Sequence, residues 1–389
     1  HEQFDAQARE TPERVAVRHG GDSLSFADLQ DRAERVAGAL RDHGIGTGSS
    51  VGLHLERSIA SVVGFLGILK TDAAVVPLPP SFPVGRLREI LEFARLDAIV
   101  DDAGTPLPPS LPGRPLNLSE LVSHSGDRRE PEPGAPDQAA FVLCSSGSTG
   151  KPKMIVRSHR SFFHRLSWTW SRHPYSDSEV CCQKAHMTTT HGIYELFEPL
   201  LRGIPVVVIP DEETRNLEGF WDTIRTRGIT RLLIVPSVLR ASLDMPRFEA
   251  PALKVVVLMG EYVHPGLARR AIDAFPEQTY LCSIYGSTEA SSTLLCELRE
   301  SFLPGKELPL GTPLTPDVLP LILGPDLEPV AAGEIGRLHM AGTPLFTEYF
   351  NDPELTATAF VEPPGLPGPV FDTRDQVRSL PDGGIEYLG

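Results

Sequence analysis

The densest chemistry in the chain lies in nine residues, Ser145-Ser146-Gly147-Ser148-Thr149-Gly150-Lys151-Pro152-Lys153. They follow the apolar run 140–144, which reads as a buried strand. Glycines, hydroxyls and two lysines in one loop can turn backbone N–H groups, O–H donors and positive charge toward polyphosphate oxygens. The loop is not the GxxxxGK[ST] phosphate loop. Two residues rather than four separate Gly147 from Gly150, and Pro152 follows Lys151. The plain alternative is a surface turn. A second group, Tyr285-Gly286-Ser287-Thr288-Glu289, ends another apolar run and brings a hydroxyl and a carboxylate together. The five cysteines (Cys144, Cys181, Cys182, Cys282, Cys296) show neither a CxxC nor a paired framework. Cys181 and Cys182 would point to opposite faces of a strand, so they read as buried fillers rather than metal ligands.

These groups need a scaffold, and 389 residues with 41% hydrophobic and 22% charged side chains suffice for a large core. Apolar runs alternate with helical patterns. Expected strands are 15–17, 51–55, 74–78, 97–101, 140–144, 205–209, 231–235, 254–258 and 279–284. Expected helices include 25–44, whose apolar positions Leu29, Ala33, Val36, Ala37 and Leu40 recur at helical spacing, and 59–70. Strands alternating with helices predict parallel sheets covered on both faces. Eight prolines between 104 and 137 mark a surface linker. Beyond about residue 300 the strands become short and turn-rich (319–323, 335–340, 384–388). The expected fold is therefore α/β: two mostly parallel-sheet subdomains with flanking helices over 1–300, and a small β-barrel-like subdomain over 301–389.

The net charge of −15 argues against a phosphate-backbone groove and hence against nucleic acid. No apolar run reaches the ~18 residues of a membrane span. With no signal-peptide pattern at the start, a cytoplasmic location is expected. The chain begins without Met, so it is expected to be a piece of a longer protein.

The loop Ser145–Lys153 resembles the phosphate loop of the adenylate-forming superfamily, which contains the adenylation domains of nonribosomal peptide synthetases, acyl-CoA and aryl-CoA synthetases, and luciferases. Further segments agree in order along the chain. Leu69-Lys70 through Pro77, with Arg86-Leu87, is similar to the family's "LKAG-A-Y-VPLDP…RL" stretch, departing at Thr71-Asp72 and Pro79. Residues 195–203 resemble "WEIFxPLLxG" of the peptide-synthetase branch. Tyr285–Glu289 resembles "YGPTE", Gly333-Glu334 with Tyr349, Leu355-Thr356 and Phe360 resembles "GE…GY…LT…F", Phe371–Asp375 resembles "YRTGD", and 382–389 resembles "DGxIEYLG".

The resemblance implies formation of an acyl-adenylate from a carboxylic acid and ATP with release of pyrophosphate, then transfer to the phosphopantetheine thiol of an acyl or peptidyl carrier protein. Coenzyme A is the alternative acceptor, as in acyl- or aryl-CoA ligases. A non-catalytic relative that only binds is the rival from another class. By the same resemblance, Ser145, Ser146, Gly147, Ser148, Thr149, Gly150 and Lys151 hold the β- and γ-phosphates, with Lys153 and Thr288 acting on the reacting phosphates. Glu289 binds Mg²⁺. Tyr285 and Gly286 pack on the adenine, Gly260-Glu261 lie at its edge, Asp375 accepts from the ribose hydroxyls, and Tyr387 covers the nucleotide. The acid would be lined by His186, Thr190, His191, Tyr194, Leu233, Val256, Leu258, Ile284, Ser292 and Thr293, with His186 and His191 competing for one place.

Two departures carry information. Amino-acid-activating relatives place an Asp five residues before the Glu matched by Glu195, where it meets the substrate's α-ammonium. Here that position is Thr190, whose hydroxyl cannot neutralise a buried cation. The substrate is therefore expected to lack a standard α-ammonium. Arg374 stands where "TGD" has glycine, which strains the chain if the backbone there requires φ > 0. Family members continue beyond "IEYLG" into a subdomain bearing a lysine that bridges carboxylate and α-phosphate. That subdomain is expected to be absent here, leaving a core that binds ATP and acid but adenylates slowly.

Overall fold

Apolar spacing becomes secondary structure where local caps permit it. Helix Phe26–Asp42 begins at Ser25, whose side chain accepts from Asp28 N–H. Leu29, Ala33, Val36, Ala37 and Leu40 are all buried, as their spacing predicts. Helix Ile59–Leu69 begins with a capping box in which Ser58 and Ser61 satisfy each other's backbone N–H groups. It is apolar on every side and buried on nearly every side. A Cβ on Gly67 would stand 2.4 Å from a Val36 methyl, so glycine there lets the two helices approach.

The computed structural model describes residues 1–125, 134–146, 152–249, 253–366, 368–381 and 383–389. It divides into two compact units. The first comprises 1–160, 173–220 and 347–352; the second comprises 161–172, 221–346 and 353–389. This division does not follow the expected 1–300 and 301–389. Both units are discontinuous in sequence, which local patterning cannot reveal. Among the described residues no helix is long and apolar enough to cross a membrane.

The first unit holds a seven-stranded sheet in the order Glu348–Tyr349, Pro152–Ser158, Ala139–Ser146, Ala74–Pro77, Ser50–Leu53, Ala98–Asp101 and Pro115–Asn117. Its first two pairings are antiparallel and the rest are parallel. The sheet is mostly parallel, as expected, with an antiparallel edge where Pro152–Ser158 pairs with Ala139–Ser146. A four-stranded sheet accompanies it, in the order Asp22–Ser25, Val15–His19, Val206–Val208 and Cys181–Gln183. The proline-rich stretch is more than a linker. Leu107 and Leu111 are buried, and Leu107 N–H donates to Asp101 at 2.8 Å. Pro115 opens the sheet's edge strand, where a missing N–H costs little. Residues 126–133 of the stretch lie outside the described residues.

Lys70 sits fully buried at the C-cap of helix Ile59–Leu69. Its ammonium pairs with Asp5 and, at 2.5 Å, with Glu34. Asp5 comes from helix Glu2–Glu10 and Glu34 from helix Phe26–Asp42, so one cation joins three helices.

The second unit contains a five-stranded sheet in the order Arg231–Ile234, Val255–Met259, Tyr280–Ser287, Ser291–Glu297 and Thr312–Pro313. The first three strands are parallel and the last two antiparallel. Its other sheet is wholly antiparallel: Leu319–Leu323, Ile335–Ala341, Val370–Ser379 and Phe360–Val361, with Ile385–Tyr387 paired to Val370–Ser379. Both positions where the chain lacks the family's glycine keep a left-handed backbone. Asp72 has φ +62° and Arg374 has φ +69°. Asp tolerates this region better than Arg does. Around Arg374 the turn is held by Asp372, which accepts from Arg374 N–H at 2.9 Å, and by Thr373, which accepts from Asp375 N–H at 3.2 Å.

Two stability outcomes follow from these contacts. Lys70→Met leaves two carboxylates without their cation and lowers the unfolding free energy by ~3–5 kcal/mol in urea denaturation. A loss under ~1 kcal/mol would mean that the pair behaves like a hydrated surface bridge. Arg374→Gly relieves the left-handed strain at some entropic cost in the unfolded chain, for a net gain of about 0.5–1 kcal/mol and a raised melting temperature. An unchanged or lower melting temperature would show that Arg374 makes an offsetting contact.

Candidate functional site

Strands Val255–Met259 and Tyr280–Ser287 are parallel neighbours, and their carboxyl ends open onto a cavity of about 270 Å³ within the second unit. Such strand ends are where α/β sheets bind ligands. The turn 260–263 supplies one wall, residues 283–287 another, and Pro309-Leu310, Asp375 and Tyr387 complete the lining. Gly260 has φ +89°, which starts the turn directly beyond the buried strand. Gly286 is required by close approach: a Cβ there would stand 1.7 Å from Ser291 O. Six expected nucleotide residues, Gly260, Glu261, Tyr285, Gly286, Asp375 and Tyr387, therefore line one cavity.

Their polar groups are already engaged with one another. Tyr285 Oη donates to Asp375 Oδ2. Burial, and then the neighbouring Asp375 carboxylate, push the Tyr285 phenol well above its usual range. Burial also raises the Asp375 carboxyl, and the Tyr285 hydrogen bond works against that rise. The Glu261 carboxylate accepts from Ser237 N–H at 2.8 Å and from Ser237 Oγ–H at 2.7 Å, securing the start of helix Pro236–Leu243. Tyr262, absent from the expected set, lines the cavity and stacks on Tyr387 at 5.4 Å between ring centroids. Its position directly after Gly260-Glu261 was the available signal.

Thr288 and Glu289 are half-buried in the turn joining strands Tyr280–Ser287 and Ser291–Glu297. Ser287 Oγ accepts from Ala290 N–H at 3.0 Å, and Glu289 O accepts from Phe346 N–H at 2.7 Å. The described residues contain no cluster of three His, Cys, Asp or Glu able to cage a metal. A single carboxylate at this turn suits Mg²⁺, which takes one or two carboxylates and completes its shell with phosphate and water.

Sheet register sorts the expected acid-lining residues. Leu233 lies opposite Val257, and Ile284 lies opposite Met259. These four share one face with Val255 and Cys282 and pack as one cluster. Val256 and Leu258 pair instead with Leu232 and Ile234, on the opposite face, and are fully buried there. The structure does not bring them together with Leu233 and Ile284. The two-residue period of the strand places Val257 and Met259 there, an alternation that could have been applied to the sequence. Thr293 Oγ1 donates to Tyr285 O at 3.3 Å. Ser292 Oγ is buried with no hydrogen-bond partner among the described residues.

In the first unit, helix Thr190–Leu200 carries Thr190, His191 and Tyr194. Thr189 caps it, accepting from Gly192 N–H at 3.3 Å. Thr190 is 8% exposed and Tyr194 1%. His191 is half-buried. His186 is drawn elsewhere: its Nε2 lies 3.2 Å from Asp211, which also pairs with Arg57. Burial lowers the Arg57 pKa, opposed by Asp211. Glu195 is nearly buried and holds the same segment, accepting from Lys184 N–H and Ala185 N–H, each at 2.8 Å, while pairing with Lys184 Nζ at 2.8 Å. This loop-clamping role was not anticipated for Glu195.

The Gly- and Ser-rich loop springs from a hairpin in the first unit. Ser145 pairs with Lys153 and Ser146 with Pro152, and the ladder closes on Ser145 Oγ, which donates to Lys153 O at 3.4 Å. Arg86 Nη2 donates to Ser145 O at 3.1 Å, tying the base of the hairpin to helix Val84–Ala94. The Lys153 ammonium lies 4.4 Å above the Tyr349 ring. Gly147, Ser148, Thr149, Gly150 and Lys151 lie outside the described residues.

Residues 4–350 match the family model described as AMP-binding enzyme. Over its full length the chain is 33% identical to a stretch of a mycosubtilin synthase from Bacillus subtilis, and it spans 15% of that protein. The nonribosomal peptide synthetase FmoA3 superposes over the whole chain with a TM-score of 0.91 at 27% identity, the chain covering 42% of it. The Klebsiella oxytoca NpsA N-terminal subdomain shares the fold, with a TM-score of 0.86 at 24% identity, covering 100% of this chain and 98% of that one. With the strand-end cavity and its Tyr285–Asp375 pair in place, these matches mean that the chain belongs to the AMP-binding enzyme family and is similar to the adenylation cores of peptide synthetases.

Proposed function

We propose that this core activates a carboxylic acid as its acyl-adenylate, for transfer to the phosphopantetheine thiol of a carrier protein. A carboxylate oxygen attacks the α-phosphorus of ATP, and the bond to the pyrophosphate leaving group breaks. The work of the protein is to hold two anions together and to meet the charge that develops. The observation that carries the reading is the cavity in which Tyr285, Asp375 and Tyr387 converge. An aromatic face and a carboxylate with two acceptor oxygens suit a nucleoside, because a vicinal diol can donate to both oxygens. ATP-analogue binding by a relative agrees, since FmoA3 has been solved with AMPPNP.

In this reading Asp375 exchanges its hydrogen bond from Tyr285 for ribose hydroxyls. Thr288 donates to the α-phosphate. Glu289 holds Mg²⁺, which supplies charge neutralisation at the phosphates. The loop Ser145–Lys153 receives the β- and γ-phosphates. For the acid we favour two groups, each taken within its own unit: Thr190, His191 and Tyr194 in the first, and Leu233, Val257, Met259, Ile284, Ser292 and Thr293 in the second. Val257 and Met259 replace Val256 and Leu258 on the register argument. The unpartnered Ser292 hydroxyl is a ready donor or acceptor for a polar group on the acid. No carboxylate stands at position 190, so an acid without an α-ammonium fits best.

Calorimetry with non-hydrolysable acyl-sulfamoyl adenosines tests this reading. The probes carry an α-amino acid, an aryl acid, an α-hydroxy acid or a β-amino acid. At least tenfold tighter binding of a mimic without an α-ammonium is expected, and Asp375→Ala weakens every mimic at least tenfold with an unchanged melting temperature. Preference for the α-amino acid mimic would overturn the argument from Thr190. Failure of all four to bind would overturn the adenylation reading. The register argument has its own check. Met259→Ala changes the order of preference among mimics. Leu258→Ala leaves that order intact and lowers stability by ~2–5 kcal/mol. The reverse pattern would restore Leu258 to the lining.

A further inference from the structure

Tyr262 stands where two cavities adjoin. One is the strand-end cavity assigned above to the nucleoside. The other is a larger groove of about 550 Å³ in the same unit, lined by Pro236, Arg240, His264 and Arg270 among others. Glu261 and Tyr262 line both. The Glu261 carboxylate is committed to Ser237, and the Tyr262 ring is the aromatic part of the shared wall.

The ring is fixed on three sides. It stacks on Tyr387 with centroids 5.4 Å apart and planes 28° apart, an arrangement close to offset stacking. It meets His264 edge-on at 5.0 Å. Its hydroxyl donates toward Glu307 Oε2 at 3.0 Å and Leu308 O at 3.1 Å, just before Pro309 and Leu310 enter the cavity lining. One side chain therefore joins the turn after strand Val255–Met259, the segment 307–310 and strand Ile385–Tyr387.

We propose that Tyr262 is a positioning and specificity residue of the nucleotide site: it holds Tyr387 over the cavity and closes the cavity off from the adjoining groove, so that purines enlarged on the base are excluded. This inference rests on the assignment of the cavity to the nucleoside of ATP. Removing the ring joins the cavity to the groove and releases Tyr387, so two properties change together. Affinity for ATP falls, and discrimination against bulky bases falls with it.

The test uses the full 389-residue chain and reads dissociation constants by calorimetry for ATP, N6-benzyl-ATP and 2-methylthio-ATP, with melting temperature as the folding control. Wild-type protein is expected to bind ATP at least tenfold better than either enlarged nucleotide. Tyr262→Ala is expected to lose at least fivefold in ATP affinity and to bind at least one enlarged nucleotide as well as ATP. Tyr262→Phe keeps ring and wall, so its discrimination stays within threefold of wild type. Should the alanine variant fail to fold, Tyr262→Leu is measured instead, with a loss of at least threefold for ATP expected from the missing stack. A folded Tyr262→Ala or Tyr262→Leu protein with wild-type ATP affinity and wild-type discrimination overturns the inference alone. Wild-type protein that binds none of the three nucleotides overturns the assignment of the cavity, and this inference with it.

Discussion

Strand Val255–Met259 is buried along its whole length, and that constraint governs what surrounds it. Each residue faces one side of the sheet or the other, and both sides are packed. The strand can therefore present chemistry only where it ends. Directly after Met259 the chain needs a sharp, polar exit, and Gly260 supplies it with a left-handed backbone. Glu261 then reaches sideways to hold helix Pro236–Leu243, and Tyr262 reaches across to Tyr387. The neighbouring strand Tyr280–Ser287 repeats this logic: its buried length ends in Tyr285 and Gly286, and the turn that follows carries Thr288 and Glu289. The cavity is the space left between two exits that the apolar strands could not themselves line with polar groups.

Residue types were legible in the sequence because chemistry restricts them. The Tyr-Gly-Ser-Thr-Glu run, Asp375 and Tyr387 could be named before any geometry was known, and six of the named residues share one cavity. Geometry that depends on counting was less legible. A slip of one residue along a strand exchanges its faces, and Val256 and Leu258 lie on the face opposite Leu233 and Ile284, with which they were expected to stand. Geometry that depends on partners far away was not legible at all. Nothing local to His186 announces Asp211, and nothing local to Lys70 announces Asp5 and Glu34. Antiparallel neighbours were missed for a related reason: Pro152–Ser158 pairs with Ala139–Ser146, Ser291–Glu297 pairs with Tyr280–Ser287, and each adds to a sheet that the alternation of helices had marked as parallel.

Asp72 and Arg374 show a different kind of legibility. At each the family pattern has glycine and this chain does not, yet the backbone remains in the left-handed region. The fold, rather than the side chain, sets the dihedral there. At Asp72 the cost is small, because a short polar side chain tolerates that region. At Arg374 the cost is larger, and it falls beside Asp375. Strain of this kind persists where surrounding structure overdetermines the backbone. Here Asp372 and Thr373 supply that structure through their hydrogen bonds to the next two N–H groups.

The case against an α-ammonium on the substrate is stronger in the structure than in the sequence. Thr190 alone shows only that one carboxylate is missing. Another acid from the same unit could have replaced it, and the first unit offers three near that helix in sequence or contact. Asp211 is engaged by Arg57 and His186, Glu195 by Lys184 and two backbone N–H groups, and Glu198 by Tyr175, whose hydroxyl donates at 3.1 Å. Recruiting any of them would strip a buried or half-buried group of its partner, a loss of several kcal/mol on the scale of ~3–5 for a broken buried pair. A neutral or differently charged acid demands no such exchange. The charge arrangement of helix Thr190–Leu200 and its clamp is thus consistent with the proposed class of substrate.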